Sequence, residues 1–406
     1  MPTQGGVIPT WRIDYESPPV AAEGIGRRMI ALEAEMIVAF RRINRQGRLV
    51  QANAVAQLEA QLEGMWGIKK ALAVSSGTAA LRLAYEYVKG RRSAQPSPPY
   101  EIITTPLSYI TTAYAASEAG LKIVFADIDP YTFTLDPQSV RQALSPHTIA
   151  IVPVHLYGQP ADMAALLRLA QEAGVAVIED MCQSQSATYL GTDGLTHYVG
   201  SESLFACTSF YCGKIVGGID DAGAIFTHEP DLLPLLRGGR DQGRASGQRY
   251  WHEQFGWKFR LGEFNAAVIS LQLGYLAQWI TRRRQIAAAY TNGLVDLEGL
   301  TLPFEAPGRR HVYYKYPVLL PTSRERERLE QQLRERGVET ERIYPHLICD
   351  QPLYAQGKLP NRVEEIRVAR SVVGRLLCLP MHEQLTDGEV DRVVRAVRVA
   401  YGRAVR

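Results

Sequence analysis

The sequence predicts an α/β protein: a large domain built on a mostly parallel, helix-covered sheet, followed by a smaller α+β C-terminal domain. Three observations carry this. Between residues 71 and 179, short apolar runs alternate with stretches of helical length, the pattern of parallel strands joined by crossover helices. The residues with chemical potential cluster just after those runs, where open α/β sheets bind ligands: Ser75–Thr78, Ser108–Tyr109, His155–Gln159, Asp180–Gln183 and Ser209–Lys214. After residue 300 strand-like runs become sparse and helical patterns dominate.

Taken in order, residues 1–20 are rich in Pro and Gly and read as an arm. Glu23–Arg45 is helical by pattern, with Ile30, Ala34, Ile37 and Val38 marking one face. A helix over Val55–Trp66 and a buried strand over Ala71–Val74 lead through Ser75-Ser76-Gly77-Thr78 into a helix over Ala79–Val88. Gly90–Pro99, polar with three prolines, is a loop. Strands are predicted at Ile102–Thr104, Ile123–Ala126, Ile149–Val154 and Val175–Glu179, and helices at Ile110–Ala119, Pro137–Leu144 and Met163–Ala173. A new β-like run starts at Ala222–Thr227. Gly262–Leu294 lacks internal proline and reads as one long helix joining two lobes. Beyond it, strands are predicted at Tyr313–Leu320 and Glu339–Ile343, and helices at Ser323–Arg336, Val363–Gly374 and Thr386–Tyr401. Thr386-Asp387-Gly388-Glu389 is a capping box for the last. These patterns divide the chain into an arm (1–20), a large domain (21–262), a connecting helix (263–294) and a small domain (295–406).

A chain of 406 residues is long enough for two lobes. Lys+Arg 45 against Asp+Glu 42 leaves a net charge of +3, too balanced for a nucleic-acid binder. The basic runs Arg282–Arg284 and Arg324–Arg336 are interleaved with Glu or apolar residues at helical spacing and read as solvated faces. Five cysteines without metal-ligand spacing fit free thiols in a reducing cytoplasm. No signal-peptide core and no apolar run near ~20 residues is present, so neither secretion nor a membrane span is expected.

The chemistry centres on Ser201–Thr227, where Lys214 sits in a glycine-bearing turn between two apolar runs. A buried lysine whose pKa is lowered can attack a carbonyl and form a Schiff base; an exposed loop lysine is the ordinary alternative. Ser76-Gly77-Thr78 offers free helix-start amides to a phosphate, although taken alone it reads better as an N-cap. Asp180, ending an apolar strand, suits a protonated ring nitrogen or the capping of its own turn equally well. Tyr109 could stack on a planar cofactor, or simply pack. Ser209 could reach the same phosphate, or bond its own backbone.

The order of these motifs resembles the DegT/DnrJ/EryC1/StrS family of pyridoxal-phosphate-dependent sugar aminotransferases, which have the type I aspartate-aminotransferase fold. The resemblance rests on SSGTAAL (75–81), the run from 104 to 137, VPVHLYGQPADM (152–163), IEDMCQSQSATYLG (178–191), TSFYCGK (208–214), DAGAIFT (221–227), FGWKFRLGEFNAA (255–267) and the run from 359 to 390. It implies pyridoxal 5′-phosphate as cofactor and Lys214 as the Schiff-base lysine. It further implies Asp180 on the pyridine nitrogen, Gln183 near the ring hydroxyl, Tyr109 over the ring, and Gly77, Thr78 and Ser209 on the phosphate. It also implies a homodimer with shared active sites, in which Gly256–Arg260 reaches the neighbour's phosphate, with Lys258 where the family usually has an amide. The implied reaction moves an amino group from glutamate or glutamine to a keto-sugar or related cyclic ketone in sugar or specialised-metabolite biosynthesis. A pyridoxal-type sugar dehydratase is the alternative enzyme, but that branch replaces the lysine with histidine; a non-catalytic binding protein would not need Lys214, Asp180 and Ser209 together. Many nucleotide-sugar members carry two histidines where this chain has Ile343 and Cys349. Their absence, with Trp257 in the donor loop, predicts that affinity owes little to a nucleotide diphosphate, unless Arg240 or Arg260 holds one.

Overall fold

The computed structural model describes residues 19–91, 99–245, 247–248 and 250–404. The expected arm therefore lies outside the described residues apart from Pro19 and Val20, as do residues 92–98 of the expected loop Gly90–Pro99.

In chain order the first elements are α1 (Ile25–Ala31), α2 (Glu33–Gln46), α3 (Asn53–Met65), β1 (Lys70–Val74), α4 (Gly77–Gly90), β2 (Glu101–Thr104), α5 (Thr111–Glu118), β3 (Lys122–Phe125), α6 (Pro137–Ala143), β4 (Thr148–Val152), α7 (Met163–Ala173) and β5 (Ala176–Asp180). Next come β6 (Thr188–Leu190), β7 (Thr196–Tyr198), β8 (Phe205–Ser209), β9 (Gly223–Thr227), α8 (Leu233–Arg240), α9 (Glu263–Leu273) and α10 (Leu276–Leu294). The last are β10 (Arg309–Arg310), β11 (Tyr316–Leu319), α11 (Ser323–Glu335), α12 (Pro352–Ala355), β12 (Asn361–Val363), α13 (Arg367–Val372), β13 (Leu376–Leu379) and α14 (Asp387–Ala404).

An eight-stranded sheet of order β1-β9-β8-β5-β4-β2-β3-β12 forms the centre. From β8 to β12 every pairing is parallel, whereas β9 runs against both neighbours. The loop 210–222 between β8 and β9 contains no helix, and parallel strands need a crossover, so β9 must return antiparallel. That return carries Lys214 across the carboxyl end of the sheet. Strands β2 and β4 are buried throughout, as expected of a sheet covered on both faces. A second core joins α10, α11 and α14 to the two-stranded sheet β11-β13. The α/β class and the added α+β region are thus as the sequence predicts.

Helix starts follow their capping residues. Asp136 accepts from the amides of Gln138 and Ser139, with Pro137 in the first turn, and Asp162 accepts from Ala165. The Thr386 box closes reciprocally: Glu389 N–H donates to Thr386 Oγ1 at 3.2 Å, and Thr386 N–H to Glu389 Oε2 at 2.9 Å. Arg27 also pairs with Glu389 and holds its carboxyl low, at about 2.

Several expectations are corrected. Glu23–Arg45 is two helices broken at Leu32. Its inward face runs through Arg28, Leu32 and Ile43, while Ile30 is 76% exposed and Ile37 and Val38 are exposed too. An arginine leads the buried face because its partners are distant carbonyls, which hydrophobic periodicity cannot register. The long helix Gly262–Leu294 is also two, α9 and α10. At Gly274 and Tyr275 the amides fold back to Leu271 and Gln272, and glycine is the weakest non-proline helix former. Arg283 is buried, not solvated, and so is Arg326. Glu339–Ile343 makes only an isolated bridge, Glu341 to Cys378. The expected helix Val363–Gly374 begins as β12, which pairs with β3 at the sheet edge, and only then becomes α13. Val20 is fully buried and bridges to Val338, so the end of the expected arm is packed. Among the described residues no helix is long and apolar enough to cross a membrane.

Candidate active site

A cavity of about 490 Å³ opens at the carboxyl ends of β1, β5 and β8. Gly77, Thr78, Tyr109, Asp180, Gln183, Ser209 and Lys214 all line it, so seven of the eight residues singled out in the sequence meet in one place. Lys258 does not line it; that residue is exposed on a bridge to Asp241. Of the other strand-end polar residues, His155 and Gln159 are buried behind the cavity.

One wall is a cup for a small anion. Ser76 caps α4, accepting from Ala79 N–H at 3.1 Å, which leaves the first-turn amides of Gly77 and Thr78 among the donors a helix cannot use internally. A Cβ on Gly77 would stand 3.0 Å from Ser209 Cβ and 3.2 Å from Cys182 Sγ, so the turn packs directly against the end of β8 and a side chain there would push those neighbours aside. Ser209 Oγ accepts from Tyr211 N–H at 3.2 Å, and its own proton is left to donate. Gly223 supports the turn from below: a Cβ there would lie 2.5 Å from the Ser76 carbonyl. Gly223→Ala should therefore cost about 1–3 kcal/mol, the usual penalty of overpacking. Denaturant unfolding checks this, and unchanged stability would mean that the turn yields freely.

The opposite wall carries fixed negative charge. Asp180 accepts from Thr112 Oγ1 at 2.8 Å and from Cys182 N–H at 3.1 Å, so its carboxylate is held in one orientation while lining the cavity. Behind it, Ala161 N–H donates to His155 Nδ1 at 3.0 Å. The ring proton is therefore on Nε2, which donates to Glu179 Oε2 at 2.8 Å and braces the end of β5. Gln183 is fixed through both ends: its Oε1 accepts from Tyr157 N–H at 2.7 Å and its Nε2 donates to Tyr344 OH at 2.9 Å. Gly158, at φ +97°, lies where a Cβ would meet Val312 and the Tyr314 amide, so the chain beside Tyr157 admits only glycine.

Lys214 projects from the β8–β9 return, with Nζ 4.9 Å from the centre of the Tyr314 ring. Burial pulls its pKa down, but the Tyr314 phenol, Cys182 and Asp180 outweigh it and the net direction is upward. The sequence posed a pKa lowered by burial as a condition, and the direction here is the opposite. Burial pushes Cys182 and Tyr344 well above their ordinary values.

Tyr109 stands at the mouth, 6.0 Å from Tyr344 centre to centre. Ile343 lines the wall, whereas Cys349 is buried outside it. Arg240 is committed to Glu59 at 2.6 Å and to the Ala73 carbonyl, so it is not free to hold a substrate anion. Trp257 stacks on Phe259 at 5.7 Å, and the Phe259 carbonyl accepts from Ser75 N–H, tying this loop to the cup of its own chain. Sequence reasoning missed Thr112, Asp221 and Tyr314 as lining residues. Tyr314 arrives from a segment 100 residues beyond Lys214, and no local pattern announces it.

Comparison with known proteins bears on this cavity. The sequence model of the DegT/DnrJ/EryC1/StrS aminotransferase family matches residues 31–398. The chain is 34% identical over 388 residues to the dTDP-3-amino-3,4,6-trideoxy-alpha-D-glucose transaminase of Streptomyces venezuelae, covering 94% of this chain and 96% of that protein. It is 33% identical over 377 residues to the pleiotropic regulatory protein of Geobacillus stearothermophilus, covering 91% and 95%. Among solved structures, DesV of S. venezuelae in complex with a ketimine intermediate superposes with a TM-score of 0.87 at 33% identity, covering 96% of this chain and all of that one.

Proposed function

The chain belongs to the DegT/DnrJ/EryC1/StrS aminotransferase family, and from that premise we propose that it moves an amino group from glutamate or glutamine to the carbonyl of a keto-sugar or related cyclic ketone. It is a pyridoxal-phosphate-dependent aminotransferase. When bound, that cofactor supplies the electron sink through which an amino group passes between two carbonyl compounds. The observation that most supports the reading is the meeting of one lysine, one oriented carboxylate and one anion cup in a single cavity.

In this reading Gly77, Thr78 and Ser209 hold the phosphate, and all three line the one cavity. Asp180, oriented by Thr112 and the Cys182 amide, would face the ring nitrogen with its charge. Gln183 would offer its remaining amide proton to the ring hydroxyl, and Tyr109 would cover the ring from the mouth. Lys214 would hold the cofactor covalently, and its Nζ would be the group that moves one proton. The ring of Tyr314 receives the resulting ammonium.

A second copy completes the site in this proposal. Tyr250 and Phe255 flank the loop Gly256–Arg260 and are 82% and 81% exposed, a surface suited to burial against a two-fold partner. Lys258 would then face the partner's phosphate. Lys214→Ala and Lys258→Ala chains, each inactive alone, should regain partial activity on subunit exchange, because hybrid dimers hold one site with neither defect. No recovery despite demonstrated exchange would place both residues in one site of one chain.

The substrate is tested with ¹⁵N-labelled glutamate and glutamine against free keto-sugars, inososes and nucleotide-linked keto-sugars, reading label in the amine product. Transfer to at least one sugar ketone is expected. Failure with every member by enzyme that has captured its cofactor would overturn the substrate class. The same panel decides the carrier: the apolar wall at Ile343 favours a free sugar, and the name of the S. venezuelae relative favours a nucleotide-linked one.

A further inference from the structure

Behind the cavity two arginines meet on one carboxylate. Arg28 of α1 donates through Nη1 to the carbonyls of Lys214 at 2.9 Å and Ile215 at 2.7 Å, and through Nη2 to that of Cys212 at 2.6 Å. Arg283 of α10 donates through Nη1 to the carbonyls of Tyr313 at 3.3 Å, Tyr314 at 3.2 Å and Met381 at 3.0 Å. Glu383 joins them: its Oε2 is 2.8 Å from Arg283 and its Oε1 is 3.6 Å from Arg28. All three side chains are buried, at 4% exposure or less. Burial pushes the Glu383 carboxyl up, but Arg283 and Arg28 hold it below its usual range.

Each arginine grips one of the two segments that meet at the lysine amine. Arg28 holds the turn bearing Lys214, and Arg283 holds the segment bearing the ring on which Nζ rests. Buried ion sets of this kind rarely add net stability over a well-packed apolar alternative, so their use is better sought in what they fix. We infer that Arg28, Glu383 and Arg283 are positioning residues that clamp the Lys214 turn against Tyr314 and keep Nζ seated over its ring. The clamp reaches the chemistry only through Lys214, so its catalytic consequence rests on the function proposed above, although its geometry does not.

The charged and titratable groups acting on Lys214 include Asp180 at the end of β5, Cys182 just after it, and Tyr314 and Lys315 before β11, while Tyr211, Asp221 and Tyr344 share its cavity. Lys315, 5.2 Å from the same ring and paired with Glu23 and Glu341, opposes a second cation there. Loosening the clamp takes Nζ off the ring and leaves that opposition in place, so the ammonium loses ground.

The test is competitive acylation of the cofactor-free full chain across alkaline pH, with Lys214 resolved by peptide mass spectrometry, which reads its titration midpoint. Removing the Arg28 charge by itself raises the midpoint, and Arg28→Met in a Tyr314→Leu background reads that effect alone. With Tyr314 present, the shift caused by Arg28→Met should lie about one pH unit lower than in that background, within the range a cation–π contact is worth. Arg28→Lys, which keeps the charge, should recover part of the difference, and an equal shift with and without Tyr314 would overturn the inference. Should circular dichroism show Arg28→Met unfolded, Glu383→Gln carries the same cycle: its lost negative charge lowers the midpoint in both backgrounds, and the excess with Tyr314 present is what the clamp predicts. Cofactor capture by Lys214 is scored separately, so a failure of the functional reading leaves the outcome of the cycle legible.

Discussion

Lys214→Ala should fold, bind cofactor without a covalent link and lose turnover. Folding survives because Arg28 grips the backbone carbonyl of residue 214, not its side chain, so the turn keeps its tether. Loss of the proton-transferring amine alone should cost about 10²–10⁴-fold in rate, before the loss of covalent attachment is counted. Steady-state kinetics together with the visible absorption of the loaded protein check this. A variant that retains full turnover would remove Lys214 from the chemistry.

Asp180→Asn should follow with a loss of about 10²–10³-fold, the range for removing one preorganised electrostatic partner of a developing charge. The substitution keeps shape but not charge. It also turns part of the group into a donor where Thr112 Oγ1 and Cys182 N–H both now donate, so the orientation is disturbed as well. The loss should fall on kcat more than on KM, since the charge matters most as the ring accepts electrons. Near-wild-type kcat in a folded variant would show that the carboxylate serves only the turn it caps.

The parallel sheet was legible because its strands are buried on both faces and read as unbroken apolar runs. The cup and Asp180 were legible because chemistry in such sheets sits where strands end. What escaped depends on distant partners. Arg28 and Arg283 resemble surface residues in a linear pattern, and only the carbonyls they meet across the fold explain their burial. The break at Gly274 is a local weakness that periodicity alone passes over, and β12 is too short and polar to announce a strand. The upward direction at Lys214 could not be foreseen, since Tyr314 comes from a segment 100 residues away. The apolar residues Ile30, Ile37 and Val38 do share a character, but in a single chain that surface lies outside.

Lys214, and no other lysine, should carry the cofactor. Borohydride reduction of the loaded protein followed by peptide mapping tests it directly. The cofactor's mass should appear on the peptide containing Lys214 and disappear in Lys214→Ala. The same mass on another peptide, that of the buried neighbour Lys315 for example, would contradict it.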